Sequence, residues 1–361
     1  ELTALPIAAL ASFNRDGKSS EAGLKFLILS AISSAILLYG LVIVYGFTGS
    51  TMLLDIADRI RSINLSADTP FGSNALMFGI VLIIAGFGFK IASVPFHMWA
   101  PDVYEGAPTP VTAFLSVASK AAGFAVILRV FYLAFGDHTL SVEWSAIFAI
   151  MSALSMSVGN LIAIRQDNIK RLLAYSTVAH AGYLMVGIAA VSATGAILDS
   201  SRGSTAVIFY LGGYAVTNLL AFSTIIAISN KIGSDMIGDF SGVAQRSPFL
   251  AACLGFALIS LIGLPPTVGF VTKIYLFGAA IDANLEWLAV IGGINSVLSA
   301  YYYLRVVKVM YMSPAPVDHA LKYSSPIKFA VLTTFGALLF FGIYPLPLLE
   351  AARIAANALM F

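Results

Sequence analysis

Charge is scarce in this sequence: Asp, Glu, Lys and Arg make up only 11% of 361 residues, where a soluble domain carries about 25%. Apolar residues fill 59% of positions and the mean hydropathy is +0.91, so the chain reads as a polytopic membrane protein. At roughly 20 apolar residues per crossing it accommodates about nine full spans and a partial one. Cysteine is almost absent. The one thiol, Cys253, lies in the apolar run AACLGFALIS, which excludes a disulfide framework, Cys-held zinc and iron–sulfur ligation within the chain. There is no basic run of the kind that binds nucleic acid, no phosphate-cradling glycine loop, and no close set of ligands for a metal. A secretory leader is not expected either, because the charged, apolar, small-residue order is missing. The sequence opens at Glu1 on an apolar stretch, ELTALPIAALASF, which reads as the inside of a helix.

Apolar runs place a partial span at 1–12 and full spans at 22–47, 74–100, 110–135, 146–164, 172–192, 205–229, 248–278, 288–312 and 326–347. These group as 1–135, 146–312 and a C-terminal span with its tail, 326–361. One set of alternate loops holds eleven Lys or Arg residues and the other four, counting Arg353 of the tail. The positive-inside rule then puts segment 101–109 in the cytoplasm and the C-terminus outside. Asp102 and Glu105, in PFHMWAPDVYEGAPTP, read as part of a cytoplasmic turn.

Five basic residues fall inside spans: Lys25, Lys90, Lys120, Arg129 and Lys273; among the acids only Glu1 does. A charge at mid-membrane costs at least about 2.5–3.5 kcal/mol, so such groups are functional candidates. Lys25 either snorkels to the interface or pairs with Glu21 at i, i+4, and Arg129 sits near a span end where snorkelling is easy. Snorkelling is harder for Lys90, Lys120 and Lys273. Lys90 and Lys120 each lie about ten residues from the same end of adjacent spans, roughly 15 Å deep, and read as neighbours. His180, in AYSTVAHAGYLMVG, either relays protons with Tyr175, Ser176 and Thr177 or is a hydrogen-bonded packing residue. His97, His138 and His319 fall at interfaces or in loops.

GFGFKI (86–91) returns as GFVTKI (269–274), and LRV at 128–130 returns at 304–306. Five spans separate the two lysines, an odd number, so the corresponding helices cross in opposite directions. That is the arrangement of inverted-repeat transporters, whose sites lie on interrupted helices. The breakers are Pro95 after Lys90, and Pro265 and Pro266 before Lys273; proline frees carbonyls that can face each lysine. Burial and a nearby ammonium both disfavour a charged lysine, and a carboxylate favours it, so coupled lysines can load and release protons.

Three segments carry a family resemblance: FKIASVPFHMWAPDVYEGAPTPVTAFLSVASKAAGF (89–124), IKRLLAYSTVAHAGYLMVG (169–187) and GLPPTVGFVTKIYLF (263–277). They resemble the antiporter-like membrane subunits of respiratory complex I, in the branch called subunit N, subunit 2 or NdhB. The resemblance implies an all-α antiporter-like fold, an inverted repeat of five-helix bundles with two interrupted helices, in a chain truncated before part of the fifth family helix. It implies a proton-translocating, non-redox subunit of a NADH:quinone oxidoreductase. By motif, Glu1 matches the family carboxylate, Lys90 its partner, Lys120 the connecting lysine, Lys273 the lysine of the second broken helix, and Lys25 a further family lysine. No cofactor is expected in this chain; FMN, iron–sulfur clusters and quinone are expected in partner subunits. The implied neighbours are antiporter-like subunit M, small subunits K, J and A, the hydrophilic arm indirectly, and lipid. The implied location is the bacterial plasma membrane, ahead of thylakoid or mitochondrial inner membranes. A cation/proton antiporter of the Mrp type and a membrane-bound hydrogenase subunit are the alternatives. Sodium favours acidic or carbonyl ligands, and Glu1 is the single intramembrane acid.

Overall fold

A computed structural model describes residues 2–62, 70–136, 138–190, 201–315 and 324–358. The described residues form helices and turns with no strand; an isolated antiparallel bridge joins Asn168 to Met236. In chain order the helices begin with α1 (Ala4–Ala11), α2 (Gly17–Thr48), the short α3 (Leu53–Ser62), α4 (Pro70–Ile91) and α5 (Trp99–Gly106). Next come α6 (Thr109–Phe114), a π-turn (Leu115–Ser119), α7 (Lys120–Leu133), α8 (His138–Ala163), α9 (Ile169–Ala189) and α10 (Ser201–Ile232). The chain finishes with the one-turn α11 (Val243–Arg246), α12 (Pro248–Ile262), α13 (Val268–Asp282), α14 (Glu286–Met312), α15 (Ser325–Ile343) and α16 (Leu346–Ala358). Eight described helical segments are long and apolar enough to cross a membrane, with α6, the π-turn and α7 counted as one, and the interrupted pair α12–α13 makes a ninth crossing. The protein is therefore an integral membrane protein of all-α class.

Local chemistry sets the ends. Asp16 caps α2 by accepting from the Ser19 amide at 2.7 Å, and Gly49, at φ 60°, closes it. Asn168 caps α9 by accepting from the amides of Lys170 and Arg171. Helix α9 forms the centre of the bundle: every residue from Ile169 to Ala189 except Arg171 and Tyr175 is buried. It reaches that position through glycines that admit backbone contact. A Cβ on Gly182 would lie 2.7 Å from the Met156 amide nitrogen of α8, and one on Gly159 would lie 2.7 Å from the Ala179 nitrogen. Small residues allow this approach in a medium that gives helices no hydrophobic drive to associate. Helices α2 and α15, by contrast, turn most of their apolar surface outward.

Both expected interruptions are present, and the same device makes them. In α4 the Ser93 amide reaches back to Gly88 O (2.9 Å) and the Ala92 amide to Phe89 O (3.0 Å). In α12 the Leu264 amide reaches Ile259 O (3.3 Å) and the Gly263 amide Ser260 O (3.0 Å). Each is a left-handed C-cap, with Ala92 at φ 56° and Gly263 at φ 88°. An alanine there costs about 1–2 kcal/mol more than a glycine. Setting the Ala92 cap on the Gly263 cap pairs Lys90 with Leu261, not with Lys273. Hence the GFGFKI/GFVTKI match is out of register with the structural repeat. Lys90 precedes its break, whereas Lys273 follows its own.

The span read at 74–100 is therefore two helices, with Lys90 in the last turn of α4 rather than ten residues from an end. The span read at 248–278 likewise divides at 263–267 and runs on to Asp282. Residues 101–106, read as a turn, belong to helix α5. Helices α3 and α16 lie outside the expected spans; α3 presents Ile56, Ala57 and Ile60 inward, and α16 buries Ala352 and Ala356.

Candidate functional site

The second break builds a cradle for an ammonium. Lys273, buried in the second turn of α13, points back at the end of α12 and donates to the carbonyls of Ile262 (2.8 Å) and Leu261 (3.1 Å). Those carbonyls lack helical partners because the helix stops at Gly263. The Ser296 hydroxyl of α14 accepts at 3.1 Å, and the Tyr183 ring lies 4.4 Å from Nζ to ring centroid, within cation–π range. Gly263 has two tasks here. Its positive φ closes α12, and its missing Cβ leaves room for the Lys273 stem, whose Cδ would lie 2.9 Å from a methyl group.

Lys120 starts α7, directly after the π-turn, and is also buried. Its ammonium donates to Thr177 O at 2.5 Å, and its Nζ lies 5.9 Å from the Tyr214 ring. The Thr177 hydroxyl bonds Tyr214 OH at 3.0 Å. His180 sits one turn further along α9, with Nδ1 at 2.7 Å from Tyr210 OH and Nε2 at 3.5 Å from Tyr303 OH. Tyr303 in turn bonds the Ser176 hydroxyl. The His180 ring packs 5.0 Å from Tyr214 and 5.6 Å from Tyr183. Three hydrogen-bonded clusters thus follow one another, around Lys120, His180 and Lys273, with the Tyr214 and Tyr183 rings between them. Among the described residues no carboxylate contacts any of the three. A lysine gives a proton as the ammonium and takes one as the amine, and imidazole and hydroxyl groups can do both, so the row has the chemistry of a relay.

Lys90 differs in kind. It is half-buried and lines a cavity of about 330 Å³ with Thr3, Ser30, Ser33 and Ser34; its nearest described partner is the Thr3 hydroxyl at 3.5 Å. Among the described bonds Lys90 reaches no carbonyl of the first break, and two carbonyls of the turn before it are taken by other donors. Phe89 O accepts from the Trp99 indole at 2.9 Å, and Gly88 O from the Ser93 hydroxyl and amide. The expectation that freed carbonyls face each lysine therefore holds at Lys273 and fails at Lys90. The helices that carry Lys90 and Lys120 pack together: Gly123, one turn past Lys120, faces the Lys90 stem, with a built Cβ 3.4 Å from Lys90 Cγ. Glu1, the expected partner of Lys90, lies outside the described residues, as do Lys322, His319 and the side chain of His138.

Lys25 belongs to a separate group of charges. It pairs with Glu21 at 2.6 Å, as the i, i+4 spacing suggested, and also with Asp102 at 2.6 Å. Arg171 Nη1 bonds Asp102 (2.7 Å) and Glu105 (3.0 Å), and Lys18 bonds Glu105 at 3.0 Å. Burial raises the Asp102 and Glu105 carboxyl pKa values, but hydrogen bonds from Lys25 and Lys18, respectively, and from Arg171 to both, outweigh it and hold both below the ordinary range.

Of the three partners expected for His180, Ser176 reaches it through Tyr303, Tyr175 takes no part among the described bonds, and Thr177 offers its carbonyl to Lys120 and its hydroxyl to Tyr214; Tyr210, Tyr214, Tyr303 and Ser296 were not foreseen. One signal was available: Tyr210 and Tyr214 stand four apart in an apolar helix, where a hydroxyl needs a partner. Buried amides were missed as well. Asn160 donates to Asn295 Oδ1 at 3.1 Å and accepts from Tyr302 OH at 2.8 Å, tying α8 to α14 beside the Lys273 cradle. Among the described residues no cluster of His, Cys, Asp and Glu is arranged to hold a metal.

Residues 1–299 match the family described as NADH:quinone oxidoreductase/Mrp antiporter, TM. The chain is 44% identical over 361 residues to the NADH-quinone oxidoreductase subunit N of Dehalococcoides mccartyi, covering 100% of this chain and 74% of that one. It is 46% identical over 344 residues to the subunit N of Heliobacterium modesticaldum, covering 95% and 69%. A chain of respiratory complex I from Thermus thermophilus with bound aureothin superposes with a TM-score of 0.78 at 34% identity, covering 97% of this chain and 72% of that one. A chain of the Mrp complex from Dietzia sp. DQ12-45-1b shares the fold, with a TM-score of 0.80 at 22% identity, covering 96% and 69%.

Proposed function

The chain belongs to the NADH:quinone oxidoreductase/Mrp antiporter family of membrane proteins, and on that premise we propose that it is the proton-translocating subunit N of a complex I type NADH:quinone oxidoreductase. It carries no redox group of its own. FMN, the iron–sulfur clusters and the quinone belong to partner subunits, and the membrane neighbours are antiporter-like subunit M and the small subunits K, J and A. The complex resides in a bacterial plasma membrane.

The observation that carries this reading is the row Lys120, His180, Lys273, buried among hydroxyls, rings and carbonyls with no described carboxylate in contact. A buried charge without a counter-ion is costly, so the protonation of each group depends steeply on the charge of the next. A proton arriving at one station disfavours the proton already on its neighbour. Protons can then be stepped along the row when charge moves at its end, with no redox chemistry in this chain. The half-buried Lys90, beside a cavity lined by four hydroxyls, is the station next to Lys120. Glu1, two residues before Thr3, takes the role of its carboxylate partner. A proton relay fits these neutral surroundings better than sodium exchange, since sodium sites favour carboxylate or carbonyl cages and the carbonyls of the second break are taken by Lys273. Replacing Lys90 or Lys273 by Ala in the assembled complex is expected to lower both quinone-linked NADH oxidation and proton pumping. Wild-type rates in both variants would overturn the reading.

A further inference from the structure

The charge cluster around α5 is not part of the lysine row, yet it holds the element that joins two stations of that row. Helix α5 is eight residues long and sits between α4, which ends beside Lys90, and α6, which leads through the π-turn to Lys120. At its start, the Trp99 indole donates to the carbonyl of Phe89, the residue before Lys90. Near its end, Tyr104 O accepts from the Thr112 hydroxyl of α6 at 3.1 Å, and Ala107 O from Lys170 Nζ of α9 at 3.1 Å. Its outer face carries Asp102 and Glu105. Arg171, on the same helix α9 as Thr177 and His180, bonds both carboxylates through one nitrogen, and Lys25 and Lys18 of α2 complete the pairing. The three cations and the three acids of the group (Glu21 with them) balance, and the carboxylates are 31% and 20% exposed. A close approach fixes the helix further: a Cβ on Gly106 would meet Lys18 O of α2 at 2.5 Å.

We propose that Arg171 is a positioning residue for proton transfer between Lys90 and Lys120: by clamping Asp102 and Glu105 it fixes α5, and α5 sets the relative placement of the two lysines. The clamp acts at a distance, since Arg171 touches neither lysine, and loosening it lets the Trp99–Phe89 and Thr112–Tyr104 contacts shift together. A displacement of about 1 Å at a transfer site slows the step by up to about 10²-fold. The inference rests on the proton-translocating reading above.

The test uses the whole complex in proteoliposomes, with the amount assembled, NADH oxidation and proton uptake measured on the same preparation. Arg171→Met is expected to lower the ratio of protons moved to NADH oxidised. Arg171→Lys is expected to restore it, because a single nitrogen makes both contacts and an ammonium can do the same. If Arg171→Met does not assemble, the near-isosteric pair Asp102→Asn with Glu105→Gln replaces it, with the same fall expected. A merely structural role would reduce the amount of complex and leave the ratio unchanged. A wild-type ratio in Arg171→Met or in the double variant, or an Arg171→Lys no better than the Met variant, overturns the inference. Lys90→Ala and Lys273→Ala run in parallel: normal pumping in both removes the proton-translocating reading itself, whereas lost pumping there beside a normal ratio in Arg171→Met removes only the role of Arg171.

Discussion

Gly269→Ala adds one methyl group at the second break, and the geometry fixes where it goes. The new Cβ would lie 1.9 Å from Ser260 O, 2.8 Å from its carbonyl carbon and 3.0 Å from its Oγ. A carbon and a carbonyl oxygen rest at about 3.3 Å, so α13 must move away from the end of α12 by about 1.4 Å. No rotamer relieves this, because the opposing atom is backbone. Lys273 lies one turn beyond Gly269 and reaches the same end of α12, at 2.8 and 3.1 Å. Adding the displacement carries both bonds to about 4.2 Å or more, past hydrogen-bond range. Overpacking costs about 1–3 kcal/mol, and each lost charge-assisted bond about 1.5–3 kcal/mol more. The expected outcome is an assembled but less stable complex, with proton pumping slowed by up to about 10²-fold. Dye-monitored proton uptake in inverted vesicles, normalised to complex on a native gel, measures it. Gly278→Ala, in the same helix with open space around its Cβ, is the control and is expected to be silent. Wild-type pumping per complex in Gly269→Ala would refute the account of the cradle.

Two further expectations follow from the relay and the clamp. Tyr210→Phe keeps the ring against His180 but removes the hydroxyl at Nδ1; leaving a buried nitrogen unpaired costs about 1–3 kcal/mol, seen as a lower unfolding temperature and slower pumping, and unchanged values would discount that hydrogen bond. The Asp102 and Glu105 carboxyls are held below their ordinary values, so their ion pairs are at full strength above about pH 4 and weaken only as pH falls through the lower folded values. The fluorescence of Trp99, with Trp144 and Trp287 replaced by Phe, is then flat from about pH 8 to 6.5; a transition in that window would contradict the clamp's assignment.

How much of this was legible in the sequence varies with the range of the interaction. The spans and the two breaks were legible because both are local: apolar length sets a crossing, and proline beside a run marks where its hydrogen bonds fail. The lysines were legible because a charge in an apolar run is visible without any partner. The hexapeptide repeat misled in one respect, since its register places Lys90 and Lys273 on opposite sides of their breaks, whereas the structural caps pair Ala92 with Gly263. The shared glycine has a packing reason in each case. A Cβ on Gly86 would lie 2.6 Å from Leu37 Cβ of α2, as that on Gly269 would meet Ser260.

Partners in space were the part sequence could not supply. His180 bonds Tyr210 and Tyr303, 30 and 123 residues away; of its expected neighbours Tyr175, Ser176 and Thr177, Ser176 joins it, through Tyr303. Asp102 and Glu105 looked like members of a solvated turn, yet they bond Arg171, 69 and 66 residues on. The sequence alone determined a bilayer-spanning chain with three deep ammonium groups and two broken helices, because hydropathy, proline and charge act through each residue and its near neighbours. Only the tertiary structure decided that Lys273 rests in a carbonyl cradle while Lys90 faces a cavity, since that depends on where a chain end folded from elsewhere directs its unpaired oxygens.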